Sequence, residues 1–195
     1  MSDIAILKEM IKETATVSLE DDPYGKNLED DTYGKNQVIL REPPPANYYV
    51  TIKGMPDDDD VIIINADKFK SPDTVFKGNR GECKRADFVI VANTNKKKII
   101  LCIEMKAGKG GSQTDINEQL KGAQCFVAYC REIGQSFWAL PNFLKGYEYR
   151  FVSIRNITRK TQTRIDPNHD LPSNIKMLKK SGSSFQFNDL VQGKR

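Results

Sequence analysis

Short apolar runs separated by polar, turn-forming residues predict a mixed α/β domain. In residues 3–13 the apolar side chains recur mostly on one helical face, which predicts an amphipathic helix. A second helix is predicted over 115–132, where a heptad-like apolar stripe follows the capping candidates Ser112 and Thr114. Runs of strand length occupy residues 48–53, 61–66, 83–93, 98–106, 136–140 and 147–158.

Two of these runs are apolar at successive positions and adjoin one short turn. Residues 88–92 and 99–103 contain no polar alternation, which is typical of strands that are covered on both faces. The polar residues 94–97 between them predict a turn. We therefore expect the two strands to pair in the antiparallel orientation.

Charged residues end both of these apolar strands. Asp87 opens the first strand, and Glu104 and Lys106 close the second with Met105 between them. Side chains two positions apart on a strand share a face, so Glu104 and Lys106 project together. Pairing Asp87 with Glu104 puts the centre of the turn between positions 95 and 96, inside the predicted turn. The sequence therefore predicts two carboxylates and one ammonium at one edge of a sheet.

This trio of charged groups suits phosphodiester hydrolysis. Two carboxylates can hold a hard divalent cation such as Mg²⁺, which activates water and offsets negative charge on the phosphate. A lysine beside them can orient or deprotonate the attacking water. One structural alternative stays open: Lys106 forms a buried salt bridge with Glu104 or Asp87 and takes part in no chemistry.

Composition and charge limit the cellular compartments and the classes of binding partner that we expect. The 195 residues, 38% of them hydrophobic, suffice for one domain with a core. Charges interrupt the N-terminal apolar residues and no apolar run approaches a membrane span, so we expect a cytoplasmic protein without a signal peptide or membrane partner. The net charge of +4 divides into −8 over residues 1–60 (14 acidic, 6 basic) and +12 over 61–195 (12 acidic, 24 basic). A basic body attracts nucleic acid, although a solvated lysine-rich surface gives the same count.

Several other features favour plain structural roles. Four cysteines without a CxxC pair are expected to be buried reduced thiols rather than metal ligands or disulfides. Residues 57–60, all aspartate, predict a solvated turn, because adjacent side chains on an extended chain point in opposite directions. A short acidic unit at 21–27 recurs at 30–36, which predicts an exposed loop insertion near 20–60. The single histidine, His169, is expected on a surface loop.

The pattern Asp–x16–Glu–x–Lys on two adjacent strands, followed by a helix, resembles the PD-(D/E)xK nuclease superfamily. In that family the two acidic residues bind the metal and the lysine is catalytic. The resemblance implies these roles for Asp87, Glu104 and Lys106. The carbonyl of the intervening residue often touches the metal as well, which implies a backbone ligand at Met105.

The resemblance covers about residues 83–129 and extends to the fold. The family core runs helix, three antiparallel strands, helix, strand, so we expect a restriction-endonuclease-like α/β core with a mixed central sheet flanked by helices. Ala86 stands where the family name has proline, which removes no ligand. We place the nuclease-like domain at 1–160 and a basic C-terminal extension at 161–195.

Further residues are suggested less directly by the same resemblance. Some relatives carry a glutamine on the helix after the lysine, for which Gln119 is the candidate and Gln124 is less suitably placed. Many relatives place an acidic residue on the first helix, where Glu9 or Glu13 is available. The alternative for each is an ordinary polar residue of a helix. Two lysines near the second helix can reach phosphates, Lys109 and Lys121.

The resemblance implies a deoxyribonuclease that depends on Mg²⁺ or Mn²⁺ and has DNA as its partner, with restriction or phage defence as its setting. Enzymes of this type that cut both strands are often homodimers, and a partner protein for targeting is a further expectation. The alternative is a catalytically silent nucleic-acid-binding or assembly subunit with the same fold. Nucleotide hydrolysis by a P-loop is disfavoured, because Lys109 is followed by glycine instead of serine or threonine.

Overall fold

The computed structural model describes residues 1–22, 36–42, 48–106, 111–155, 168–179 and 184–192. The helices in these ranges are α1 (Asp3–Met10), α2 (Gln113–Phe137) and α3 (Phe187–Val191). The strands are β1 (Glu20–Asp21), β2 (Asn36–Arg41), β3 (Tyr49–Met55), β4 (Val61–Asn65), β5 (Phe88–Asn93), β6 (Lys98–Lys106), β7 (Glu148–Arg155), β8 (Lys176–Lys179) and β9 (Ser184–Gln186).

Five strands form a mixed sheet in the order β4-β5-β6-β7-β8. β4, β5 and β6 follow one another along the chain and pair antiparallel, so the predicted pairing across residues 94–97 is confirmed. α2 then crosses over the sheet, and β7 and β8 are added parallel to β6. A parallel pair requires a long crossover of this kind, which α2 supplies.

Four strands form a second sheet in the order β1-β2-β3-β9, with β9 parallel to β3. The strand predicted over 48–53 is confirmed as β3. The range predicted as a loop insertion, near 20–60, contains the strands β2 and β3, in which Val38, Leu40 and the residues opposite them pack into a core. Most of the repeated acidic unit, at residues 23–35, lies outside the described residues.

The five-stranded sheet is covered on both faces. One face packs against α1 and α2 through residues such as Val89 and Cys102. The other face packs against the second sheet and α3 through residues such as Ile90 and Leu101. Successive strand residues therefore alternate between two apolar cores, which explains the unbroken apolar runs. The α/β class is confirmed, but only one face is covered by helices alone; the second sheet and the short helix α3 cover the other.

Helix α2 is longer than predicted and replaces one predicted strand. Ser112 forms a capping box at its start, in agreement with the capping prediction. The helix continues to Phe137, so the strand predicted over 136–140 is wrong. Short apolar runs fit a helix as well as a strand. Here the buried stripe of the helix extends to Gly134, where an added Cβ would lie 2.1 Å from the Phe143 ring.

The C-terminal part of the chain contributes to both sheets. β8 is the edge strand of the five-stranded sheet, and β9 joins β3. The described part of the segment predicted as a basic extension, 161–195, also adds Phe187 and Leu190 to the core. His169 is fully buried, and its Nε2 bonds to the Leu190 carbonyl oxygen at 2.8 Å, so its predicted surface position is wrong. Its Pro/Asn/Asp-rich surroundings indicate a turn but not what packs over that turn.

Smaller predictions have mixed outcomes. All four cysteines are free thiols, but only Cys102 and Cys130 are buried, whereas Cys83 is partly exposed and Cys125 is exposed. Residues 57–60 are exposed and include a short 3₁₀ turn, as predicted. Within the described ranges, no helix has both the length and the apolar content that crossing a bilayer requires.

Candidate functional site

Asp87 and Glu104 face each other at the edge where β5 begins and β6 ends. Phe88 pairs with Ile103 in the ladder, and one further step places Asp87 opposite Glu104. The predicted register is confirmed. The short turn between the two strands determines it, because a two-strand hairpin leaves few alternative pairings.

The charged side chains lie on the helix-covered face of the sheet. Val89 and Cys102 have the same alternation as Asp87 and Glu104, and both belong to the core beneath α1 and α2. Met105 belongs to the opposite core, beneath the second sheet. Convergence of the carboxylates on one face is therefore a consequence of strand periodicity and register.

The backbone of neighbouring strands positions Asp87. Its Oδ2 accepts a hydrogen bond from the Met105 N–H at 2.6 Å. Its carbonyl oxygen accepts one from the Ala66 N–H, just after β4, at 2.8 Å. Because the N–H and C=O of a strand residue face the same neighbouring strand, the Met105 carbonyl also faces the Asp87 side. That carbonyl is the backbone group predicted to touch a metal.

Glu104 is fully buried and its carboxylate is only partly satisfied. Oε1 contacts the ammonium of Lys106, whose side chain is 25% exposed. Oε2 has no hydrogen-bond partner in the described part of the chain. Leaving a buried polar atom unpaired costs about 1–3 kcal/mol, and more for a charged group. This oxygen therefore calls for a proton or a cation.

Burial raises the pKa of both carboxyl groups above their ordinary values. For Asp87 the Met105 hydrogen bond and the charge of Lys106 oppose this effect without cancelling it. For Glu104 the charge of Asp87 adds to burial, while Lys106 opposes it. Two carboxyl groups in such surroundings titrate as a pair. In the absence of a cation, the pair retains a proton more readily than ordinary carboxyl groups do.

Asp67 is an acidic neighbour that the sequence analysis did not select. It lies in the turn after β4, one residue beyond Ala66, and it raises the pKa of both Asp87 and Glu104. Its Oδ1 is 3.8 Å from Arg85 Nε. The sequence did contain a signal for Asp67, because this residue closely follows an apolar strand, just as Glu104 lies near the end of one.

Glu42 is a second acidic neighbour of the site that was not among the predicted site residues, and it comes from the other sheet. It follows β2, and its N–H donates to the Tyr48 carbonyl oxygen at 2.8 Å. Burial raises the pKa of Glu42, the charge of Lys106 opposes this, and Asp67 adds to it. Its position depends on how the two sheets pack, and local sequence carries no signal for that.

A cleft of about 440 Å³ opens beside the site. Gln119, predicted from the resemblance, lines the same cleft as Lys106. Lys84 lies there too and pairs with Asp115 at 2.7 Å and Glu118 at 2.6 Å. The residues that line the cleft are Lys84, Lys106, Gly111, Asp115 and Gln119.

A close approach of α2 fixes the segment that leads into Asp87. A Cβ atom at Gly122 would lie 1.9 Å from the Lys84 carbonyl oxygen and 3.3 Å from Arg85 Cα. Real Cβ atoms essentially never come as close as the first of these distances, so the contact with the Lys84 carbonyl oxygen requires glycine. α2 thereby positions one carboxylate of the site as well as lining the cleft.

Other predicted residues are not brought to the site. Glu9 and Glu13 are both exposed, and the acidic groups that act on Asp87 are instead Asp67 and Glu42. Gln124 is partly buried away from the cleft lining, and Lys121 is exposed on α2. Lys109 lies outside the described residues.

The candidate metal donors are a sparse set. Over the ranges that the structure covers, no three His, Cys, Asp or Glu side chains cluster closely enough to hold a metal ion. What remains is two carboxylates, Asp87 and Glu104, with the Met105 carbonyl between them in the chain. An all-oxygen set suits Mg²⁺ or Mn²⁺, and the Oε2 of Glu104, which has no partner within the described ranges, fits such a cation.

Comparison with known proteins gives no match to this chain among family models, curated proteins or solved structures. The function therefore has to be inferred from the geometry of Asp87, Glu104 and Lys106 and from the elements that position them.

Proposed function

We propose that this protein is a metal-dependent nuclease that hydrolyses DNA phosphodiester bonds. The observation that carries the proposal is the fully buried Glu104 carboxylate, whose Oε2 finds no hydrogen-bond donor among the described residues and lies in a cluster with Asp87 and Lys106. A buried anion of this kind is costly to the fold, and such groups concentrate at functional sites. The proposed cation is Mg²⁺ or Mn²⁺, held by both carboxylates and the Met105 carbonyl.

The order of elements around the site supports a restriction-endonuclease-like core. α1, the antiparallel strands β4 to β6, α2 and the parallel β7 follow the order helix, three antiparallel strands, helix, strand. This is the order that the PD-(D/E)xK resemblance implies. β1 to β3 come between α1 and β4, and their sheet covers the face opposite the site.

Lys106 and Gln119 each have a role in the proposed hydrolysis that is separate from that of the cation. A divalent cation supplies Lewis acidity there, making water a better nucleophile and offsetting charge on the phosphate. Burial lowers the pKa of Lys106, but the carboxylates of Glu104 and Asp87 raise it by more, so its ammonium is protonated at neutral pH. Lys106 therefore orients the attacking water by donating to it and stabilises negative charge on the reacting phosphate. Gln119, in the same cleft, is a further donor for water or phosphate.

The charge distribution supports a polyanionic substrate. Residues 61–195 carry 24 basic and 12 acidic residues, and Lys84 and Lys106 line the cleft. The choice of DNA over RNA follows from the PD-(D/E)xK resemblance.

A cleavage assay tests the proposal. Wild type and Lys106→Ala are incubated with supercoiled, linear and single-stranded DNA in Mg²⁺, Mn²⁺ or EDTA. We expect wild type to cut at least one substrate in either metal, EDTA to abolish cutting, and Lys106→Ala to be inactive while still folded. Lys145→Ala is the matched control, because Lys145 is exposed and precedes β7, whereas the site lies where β7 ends.

The outcomes separate the two candidate roles. Cutting by Lys106→Ala at the wild-type rate would exclude the proposed site. Binding of DNA by wild type without cutting, on every substrate and in both metals, would favour a catalytically silent nucleic-acid-binding or assembly subunit.

A further inference from the structure

Arg155 occupies the position beside Lys106 on the neighbouring strand. The two are register partners in the parallel pair of β6 and β7, and Glu104 is paired with Ser153 in the same way. Register partners share a face of the sheet, so Arg155 lies on the same helix-covered face as the site. Phe151, four positions earlier on β7, belongs to the core beneath α2 and identifies this face.

Neutral groups hold the guanidinium of Arg155. Its Nε donates to Ser153 Oγ at 3.2 Å, and its Nη2 donates to Gln113 Oε1, in the first turn of α2, at 3.3 Å. Among the residues that the structure describes, no carboxylate lies within ion-pair distance of it. Burial lowers the pKa of Arg155, and Glu104 opposes this only from a longer range.

The two lysines at the cleft already have anionic partners. Lys84 pairs with Asp115 and Glu118, and Lys106 pairs with Glu104. Arg155 is therefore the partly buried cation next to the site whose charge is uncompensated within the described chain. A guanidinium in this situation gains most from an anion that accepts two hydrogen bonds in one plane, as a phosphate does.

We infer that Arg155 binds a phosphate of the nucleic-acid substrate beside the reacting centre; this inference rests on the proposed function. The bonds to Ser153 and Gln113 use Nε and one N–H of Nη2. The remaining N–H groups of the guanidinium are left for phosphate oxygens. Arg155 fixes the backbone of the substrate, while the charged groups on β6 perform the hydrolysis.

A purely structural role for Arg155 makes a different prediction. In that role its bond to Gln113 would tie β7 to α2. Loss of Gln113 would then be about as harmful as loss of Arg155, and neither would change how DNA binding depends on salt.

DNA binding in chelator separates these roles, because nothing is cut while binding is measured. A short fluorescent DNA duplex is titrated with protein, and anisotropy gives the affinity over a series of salt concentrations. For Arg155→Ala we expect about tenfold weaker binding. We also expect the slope of log affinity against log salt to become shallower by about one unit, because one phosphate contact is lost. Arg155→Lys should keep the slope and lose part of the affinity, since an ammonium lacks the planar pair of donors.

Two control variants complete the test. Gln113→Ala should keep the wild-type slope, and so should Lys96→Ala in the exposed turn between β5 and β6, at the other end of β6 from the site. If Arg155→Ala does not fold, the comparison of wild type, Arg155→Lys and Gln113→Ala still decides the outcome.

Three results would overturn the inference. The first is an unchanged affinity and slope in Arg155→Ala while wild type binds DNA and cuts it in Mg²⁺, which leaves the proposed function intact. The second is an equal loss of affinity in Gln113→Ala and Arg155→Ala, with the slope unchanged in both. The third is a wild type that neither binds nor cuts DNA, which overturns the proposed function as well.

Discussion

In the described part of this protein, ionisable side chains are buried at two places, and hydrogen bonds satisfy the two places to different degrees. At the candidate site, Asp87, Glu104 and Lys106 share one sheet edge, and Glu104 keeps an oxygen without a donor in the described chain. The second place is the α3 cluster, formed by three basic residues that are almost fully buried, Arg150, His169 and Lys176.

In the α3 cluster each basic side chain contacts a different carbonyl oxygen of α3. The last carbonyls of a helix lack partners within the helix and carry partial negative charge, so basic donors match them. The contacts run from Arg150 Nε to Val191 at 3.0 Å, from His169 Nε2 to Leu190 at 2.8 Å, and from the Lys176 ammonium to Asp189.

This difference indicates that the buried groups of the α3 cluster stabilise the fold, whereas those of the candidate site serve chemistry. In the α3 cluster, a donor of each basic side chain meets a carbonyl oxygen of α3, and within the described residues only His169 Nδ1 is left without a hydrogen-bond partner. At the site, pairing leaves a carboxylate oxygen over, and two acidic groups repel each other. Removing charge should therefore harm the fold at the α3 cluster and harm only activity at the site.

The largest expected effect is on activity in Glu104→Gln. We expect DNA cutting in Mg²⁺ to fall about 1000-fold or more, because a neutral amide binds the cation much more weakly than a carboxylate does. The free energy of unfolding should stay equal or rise, since a buried charge has been removed. Cutting rates and urea unfolding measure the two quantities. Glu132→Gln, exposed on α2, should change neither.

Loss of stability together with activity in Glu104→Gln would erase the distinction between the two places. Glu104 would then be a structural residue, comparable to the members of the α3 cluster.

Arg150→Ala should show the converse behaviour. Its guanidinium bonds to the carbonyl oxygens of Val191 and Tyr149 and to Glu148 Oε2. Losing charged hydrogen bonds at a buried position should lower the free energy of unfolding by about 2–3 kcal/mol. Cutting per folded molecule should be unchanged, and urea unfolding combined with the cleavage assay would show this. A fully stable but inactive Arg150→Ala would place functional chemistry at the α3 cluster.

Two glycines of α2 provide a matched pair, Gly122 in the interior of the helix and Gly134 near its C-terminal end. Alanine at Gly122 would collide with the Lys84 carbonyl oxygen, and alanine at Gly134 with the Phe143 ring. We expect each variant to lose about 1–3 kcal/mol in thermal or urea unfolding. Only Gly122→Ala should also lose activity per folded molecule, because the segment leading to Asp87 must shift. Equal activity in both variants would mean that this segment does not position the carboxylate.

The two places should also respond to pH in opposite directions. Asp87 and Glu104 have raised pKa values, so the folded protein binds more protons than the unfolded one. Without metal, their contribution to stability should fall as pH rises from about 4 to about 8, by up to about 1.4 kcal/mol per pH unit for each proton of difference. Burial lowers the pKa of His169, so its contribution should rise as pH approaches about 6.5.

Urea unfolding in chelator over this pH range measures the sum of the falling contribution of Asp87 and Glu104 and the rising contribution of His169. Glu104→Gln should remove most of the falling contribution and leave the rising one. Saturating Mg²⁺ should likewise remove the fall in wild type, since the cation takes the place of the proton. A falling contribution of the same size in Glu104→Gln would assign it to other groups.

The arrangement of Asp87, Glu104 and Lys106 could be predicted because it is local. Strand periodicity determines which side chains share a face, and a four-residue connection determines the register of β5 and β6. The capped start of α2 and the place of Gln119 on it follow from similarly short-range patterns.

Other features depend on contacts between distant segments and had no local signal. Glu42 reaches the site because the second sheet packs on the first, and its own flanks indicated a loop. His169 is buried by α3, about twenty positions further along the chain. Arg155 could be assigned to a strand but not to the site. Its pairing with Lys106 of β6 depends on where the α2 crossover places β7.

The most direct test is whether Asp87 and Glu104 bind one divalent cation together. Mn²⁺ titrated into the metal-free protein can be followed by electron paramagnetic resonance, with Mg²⁺ as competitor. We expect wild type to bind Mn²⁺ at a site that Mg²⁺ empties, and both Asp87→Asn and Glu104→Gln to lose that binding while remaining folded. Wild type that binds no Mn²⁺, or variants that bind it as tightly as wild type, would contradict a shared metal site.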